Sequence, residues 1–66
     1  MKEPKKWITI GEGAAGWFAV MIWVNPAMGG FPEPYQTGVG RYPDRDSAIA
    51  EAEEWADSDG LELHIP

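Results

Sequence analysis

The run Trp17–Val24 constrains the fold more than any other part of the chain. All eight of its residues are apolar, and aromatic and β-branched side chains dominate it. A membrane-spanning helix needs roughly 20 such residues. The length and composition are instead typical of a central β-strand, which turns alternate side chains to the two faces of a sheet. Both faces of this sheet therefore need cover.

The length of the chain favours one small domain over residues 1–66. The absence of cysteine excludes a disulfide framework and a thiolate metal site. Four tryptophans help so small a core, because each aromatic side chain can bury about 150–250 Å². The basic start, Met1–Lys6, is followed by too few apolar residues for a signal peptide. We expect a soluble, intracellular protein that does not enter a membrane.

Turn and cap signals predict the order β-β-β-α-β. Asp44 is the expected N-cap of the helix, and Gly60 suits the left-handed position that follows a helix end. The fold class is α+β: a single-layer sheet of about four strands, with one helix packed on one face. The predicted elements are strands Trp7–Ile10, Trp17–Val24, Tyr35–Gly40 and Leu61–Ile65, with a helix over about residues 45–58.

One helix covers only one face of a sheet, so only one of the two rows of side chains on the central strand can pack against it. We expect the row with Val20 and Ile22 to face the helix. The helix would contribute Ile49, Ala52 and Trp55, and the sheet Ile8 or Ile10, Val20, Ile22 and Leu63. The other row would then be covered by the loop Asn25–Pro34, by a partner or by a second copy. Trp17, Met21 and Trp23 in this row are a possible second contact face.

The predicted helix is strongly acidic. Between Asp44 and Asp59 there are seven acidic residues and one cation, Arg45. The net charge of this segment, −6, equals that of the whole chain. Like charges four residues apart destabilise a helix by a few tenths of a kcal/mol each. The acids can be a solvated outer face that aids solubility, or a surface for a positively charged partner. The candidate partner-binding residues are Asp46, Glu51, Glu53, Glu54 and Asp57, with Glu62 on the adjoining strand.

Other motifs do not indicate chemistry. Gly11-x-Gly13-x-x-Gly16 resembles a dinucleotide fingerprint but precedes a strand rather than a helix, so a glycine-rich hairpin loop is expected. Asp57–Glu62 lacks the spacing of a calcium loop. His64 is the only histidine and has no cysteine to complete a transition-metal site. We expect no catalytic residue, no metal and no cofactor. Acidic composition also disfavours direct binding to nucleic acid.

Two protein families resemble parts of the chain. Gly16–Val20 and the later run YQTGVGRYPDRDSAIAEA (residues 35–52) are similar to the strand, turn and helix pattern of HicB-like antitoxins. This resemblance implies a partial double-stranded-RNA-binding fold and the neutralisation of a small basic ribonuclease. The segment Asn25–Pro34 departs from that pattern, since the family has a short proline-containing turn there.

Small size, lack of cysteine and one-sided acidity resemble phage-encoded anti-CRISPR proteins that inhibit type I systems, particularly type I-C. This resemblance implies binding to a Cas8-like effector subunit in the cytoplasm of the bacterial host cell. It also implies a block on recognition of the motif beside the DNA target, by mimicry of duplex DNA. We expect an inhibitor that is a monomer or a weak homodimer, with an antitoxin-like protein or a structural oligomerisation domain as alternatives.

Overall fold

The computed structural model describes residues 5–66, apart from the side chain of Met28. Within them the chain forms a four-stranded mixed sheet with one α-helix against it. The predicted α+β class and the order β-β-β-α-β are confirmed. The elements are β1 (Lys5–Gly13), β2 (Gly16–Val24), a 3-10 turn (Pro26–Met28), β3 (Glu33–Thr37), α1 (Arg45–Asp59) and β4 (Glu62–Leu63).

The strands lie in the order β3-β2-β1-β4. β2 is antiparallel to both of its neighbours, β1 and β3, whereas β4 pairs with β1 in parallel. β3 includes Pro34 and starts before the predicted Tyr35. An edge strand tolerates proline, because one side of its backbone pairs with no neighbour. β4 is shorter than the predicted Leu61–Ile65, with two residues in the strand.

The first hairpin is longer than the glycines of its sequence suggest. β1 and β2 stay paired as far as Gly13 and Gly16, so the predicted loop shrinks to a two-residue turn. The glycines allow close approaches here. A Cβ on Gly11 would lie 3.1 Å from Cζ of Phe18, and one on Gly16 would collide with the carbonyl of Tyr42. Gly16 also has a φ of 118°, which side-chain-bearing residues rarely adopt.

The ends of α1 follow local signals, as predicted. The side chain of Asp44 accepts a hydrogen bond from the backbone N–H of Ser47 at 2.9 Å. Gly60 is left-handed, with a φ of 67°, and its N–H reaches the carbonyls of Ala56 and Asp57. Polar groups that a helix end leaves without partners are thereby satisfied at both ends.

The helix packs on the opposite row of β2 from the one that we expected. Ile8 pairs with Met21 and Ile10 with Ala19, so these four side chains share a face. They form the core with three alanines of α1, namely Ala48, Ala52 and Ala56. The prediction that Val20 and Ile22 meet the helix is therefore wrong. Alanines bring the helix close to the sheet, so the row that contains the small residue Ala19 fits beneath it.

The same packing covers the row that we expected to be a possible second contact face. Met21 is only 7% exposed, and Trp17 is half-buried against the core. Trp23 is half-buried and tilts against Tyr35, with ring centroids 5.6 Å apart. The Trp17, Met21 and Trp23 row is therefore not an open surface.

The other face of the sheet carries Phe18, Val20, Ile22 and Val24, and no second layer of helix or strand packs on it within residues 5–66. Single polar side chains lie over its aromatic rings instead. The guanidinium carbon of Arg41 is 4.8 Å from the centre of Phe18. The His64 ring stacks on Trp7 at 5.1 Å. The predicted cover by the loop Asn25–Pro34 concerned the row with Trp17, Met21 and Trp23. Of that loop, Asn25 and Phe31 lie beside Trp23, but Phe31 is 75% exposed, and α1 rather than the loop covers Met21.

Candidate functional site

The outer face of α1 carries a compact set of exposed acids. Asp46, Glu53 and Asp57 stand seven and four residues apart, which places them within about 40° of one another around the helix. Glu54 lies beside this line. All four side chains are exposed, and we call them the acidic row. From Asp46 to Asp57 the row extends about 16 Å along the helix axis.

No cation of the described residues neutralises the acidic row. Among residues 5–66, the single ion pair within 4.0 Å joins His64 to Glu62. Arg45 donates to the carbonyl of Pro66 instead. Arg41 lies over Phe18, and Lys6 lies 5.5 Å from the ring centre of Tyr35. The row therefore presents its negative charge to solvent.

Glu51 differs from the other predicted contact acids. It is half-buried, and its Oε1 accepts a hydrogen bond of 2.6 Å from the Tyr42 hydroxyl. Its carboxylate fills the space above Gly38 and Gly40, where an added Cβ would collide with it. Glu51 therefore ties the helix to the segment between β3 and α1, and it does not belong to the freely exposed set.

This contact also changes the acidity of the tyrosine. The hydrogen bond to Glu51 raises the pKa of Tyr42 above its ordinary value of 10.0, and burial and the negative charges of Glu51 and Glu54 act in the same direction. A neutral hydroxyl donates to the carboxylate, whereas a phenolate would be repelled by it.

Glu62 does not extend the acidic surface of the helix, contrary to prediction. Leu61 and Leu63 pack against the core, and Glu62 alternates to the other side of the sheet. Its Oε2 lies 2.8 Å from Nε2 of His64. Because successive side chains of a β-strand point to opposite faces of the sheet, Glu62 lies on the face opposite to Leu61 and Leu63.

Beside the acidic row lies a groove that the sequence analysis missed. It is shallow and open to solvent, measures about 370 Å³ and is lined by Val39, Glu51, Glu54, Trp55 and Ser58. Val39 at its rim is fully exposed, at 101%. We call this feature the Val39–Trp55 groove. The signal that could have indicated it is Gly38-Val39-Gly40, where two glycines flank an apolar residue just before the helix.

The described residues contain no group of three or more His, Asp or Glu that could hold a metal ion. None of the helices in residues 5–66 has the length and apolar character that crossing a membrane would require. Comparisons with protein-family models, with curated proteins and with solved structures give no match for this chain.

Proposed function

We propose that this protein is an inhibitor that binds a basic, nucleic-acid-binding protein in place of DNA. The observation that carries the proposal is the acidic row, whose four exposed carboxylates have no cation partner within residues 5–66. Placing like charges side by side destabilises a helix. A positively charged groove on a partner would convert that repulsion into attraction.

The row also has the dimensions of a short stretch of nucleic acid backbone. Four charges over about 16 Å have a mean interval of about 5.5 Å along the helix axis, of the same order as the axial rise of about 3.4 Å per phosphate of one DNA strand. α1 holds Asp46, Glu53 and Asp57 on one rigid line with Glu54 beside it, and Asp44 and Gly60 cap the two ends of the helix. The partner that we propose, on the resemblance to anti-CRISPR proteins, is a Cas8-like effector subunit in the cytoplasm of a bacterial host. The blocked step would be recognition of the motif beside the DNA target.

Charge reversal in the acidic row is the direct test. Glu53→Lys/Asp57→Lys changes the net charge by four units, and so does the control Glu12→Lys/Glu33→Lys, whose sites are exposed and lie on strands. We expect the helix variant to lose inhibition of a type I-C system in bacteria and the control to keep it. Circular dichroism checks that both variants fold. A folded helix variant that inhibits fully would contradict the proposal.

Retention of host proteins on immobilised wild type identifies the partner class. A Cas effector subunit, displaced by duplex DNA that carries its recognition motif, supports the proposal. A small basic ribonuclease would instead favour the HicB-like antitoxin alternative. Self-association of the purified protein in light scattering would favour the oligomerisation alternative. Its surface would be the uncovered face of the sheet, because the row with Met21 and Trp17 packs against the core.

A further inference from the structure

The Val39–Trp55 groove combines charge with apolar surface in a way that the acidic row does not. Glu54 is an exposed carboxylate, Trp55 is a half-buried indole and Val39 is a fully exposed aliphatic side chain. A DNA mimic needs only charge on its surface. The apolar side chain and the aromatic ring beside the carboxylate therefore suit a ligand that has an apolar part as well as a positive charge.

The groove is held in shape before any partner binds. The N–H of Gly38 donates to the carbonyl of Ala19 at 2.8 Å, and Tyr42 pairs with Trp17 through both backbone groups, at 2.7 and 2.9 Å. Arg41 donates to the carbonyls of Gly38 and Gly40 at 2.8 and 2.9 Å. These hydrogen bonds hold the backbone on both sides of Val39, so the exposed side chain is carried by an ordered turn. A turn that is already ordered loses less conformational entropy when a ligand binds.

Some of the hydrogen-bonding groups that line the groove are already paired within the protein, and this limits which contacts a ligand can make. The indole N–H of Trp55 already donates to Asp59 at 2.8 Å, so the indole offers carbon surface and π electrons. One oxygen of Glu51 accepts from Tyr42. Its other oxygen, Oε2, lies against Gly38 and accepts no hydrogen bond within residues 5–66. Arg41, two residues after Val39, is turned to the other face of the sheet, over Phe18.

We propose that the Val39–Trp55 groove receives an arginine side chain of the protein partner. The guanidinium would meet the Glu54 and Glu51 carboxylates and the indole, and its methylene stem would lie against Val39. Planar guanidinium groups bind carboxylates and aromatic rings together, whereas the compact, strongly hydrated ammonium of lysine does so less well. The inference rests on the proposed function and deepens it, because it assigns arginine selectivity to one point of a surface that otherwise attracts any cation.

Small probes test the groove without the partner. N-acetyl-arginine amide and N-acetyl-lysine amide are titrated into the labelled protein, and binding is followed by NMR at the Trp55 indole N–H and the Val39 methyl groups. We expect the arginine probe to bind about two- to five-fold more tightly than the lysine probe. Both Val39→Ser and Glu54→Gln should reduce that affinity. Trp55 is left unchanged because it packs against the core.

The control is Glu53→Gln, which removes the same charge one residue away and outside the groove. It should leave the preference for arginine intact. Equal affinity for the two probes, or an effect of Glu53→Gln as large as that of Glu54→Gln, would overturn the inference. The two proposals fail separately, because this titration needs no partner and the charge-reversal test changes only Glu53 and Asp57.

Discussion

At the scale of single residues, Glu51 shows how a surface charge becomes structural. The pattern of the helix groups it with the exposed acids, yet it accepts from Tyr42 and lies over Gly38 and Gly40. Glycine at both positions makes room for the carboxylate. One charged side chain thereby holds the turn that carries Val39.

The Tyr42 contact predicts how stability depends on pH. Because its pKa is raised in the folded state, the folded protein holds this proton more tightly than the unfolded protein does. The stabilisation is complete below about pH 10 and is lost as pH rises through the higher folded pKa. We expect the melting temperature of the wild type to fall more steeply than that of Tyr42→Phe above about pH 10.

The matched control for that prediction is Tyr35→Phe, at a tyrosine that is 59% exposed. Its melting temperature should follow the wild-type curve. Thermal melts by circular dichroism between pH 8 and 12 measure all three proteins. Parallel curves for wild type and Tyr42→Phe would mean that the hydroxyl does not stabilise the fold through Glu51.

At the scale of elements, the contact between α1 and the sheet depends on small residues. Ala48 and Ala52 are completely buried, and Ala56 is 5% exposed. The bulk of the core comes from the sheet, through Ile8 and Met21 among others. A helix whose buried stripe is alanine lies close to the strands and leaves no space for longer side chains.

That close approach predicts a position-dependent effect of leucine on α1. Ala52→Leu should destabilise the protein by about 1–3 kcal/mol, because it overpacks the contact with the sheet. Ala50→Leu makes the same change at an exposed position of the same helix, where we expect an effect within about 0.5 kcal/mol. Urea denaturation compares the two. Equal stabilities would show that the helix can move away from the sheet at little cost.

At the scale of the whole molecule, charge is divided between two sides. The helix layer carries the acidic row, whereas Arg41 and the His64–Glu62 pair lie on the far face of the sheet. Lys5 pairs with Val24 and belongs to that far face as well. Among residues 5–66, negative charge is therefore concentrated on the helix side, and its repulsion acts mostly within α1.

This concentration predicts that salt stabilises the free protein. Raising NaCl from about 10 mM to about 100 mM shortens the screening length from about 30 Å to about 10 Å. We expect the melting temperature to rise by a few degrees. Glu53→Gln/Asp57→Asn should show a smaller rise, and Glu12→Gln/Glu33→Gln a rise close to that of the wild type. If the melting temperature of the helix variant rises more with salt than that of the strand variant, the prediction is wrong.

The sequence determined the parts of this protein that depend on neighbours a few residues apart. Asp44 and Gly60 set the two ends of α1, the apolar run predicted β2, and the acids of the helix were visible as a set. The tertiary structure alone decided which row of β2 meets the helix, because strand register and the alanine stripe choose the face. It likewise moved Glu62 to the far side of the sheet and joined Glu51 to Tyr42. Val39 and Trp55, which are 16 positions apart in the chain, line one groove only because the turn before α1 folds back along the helix.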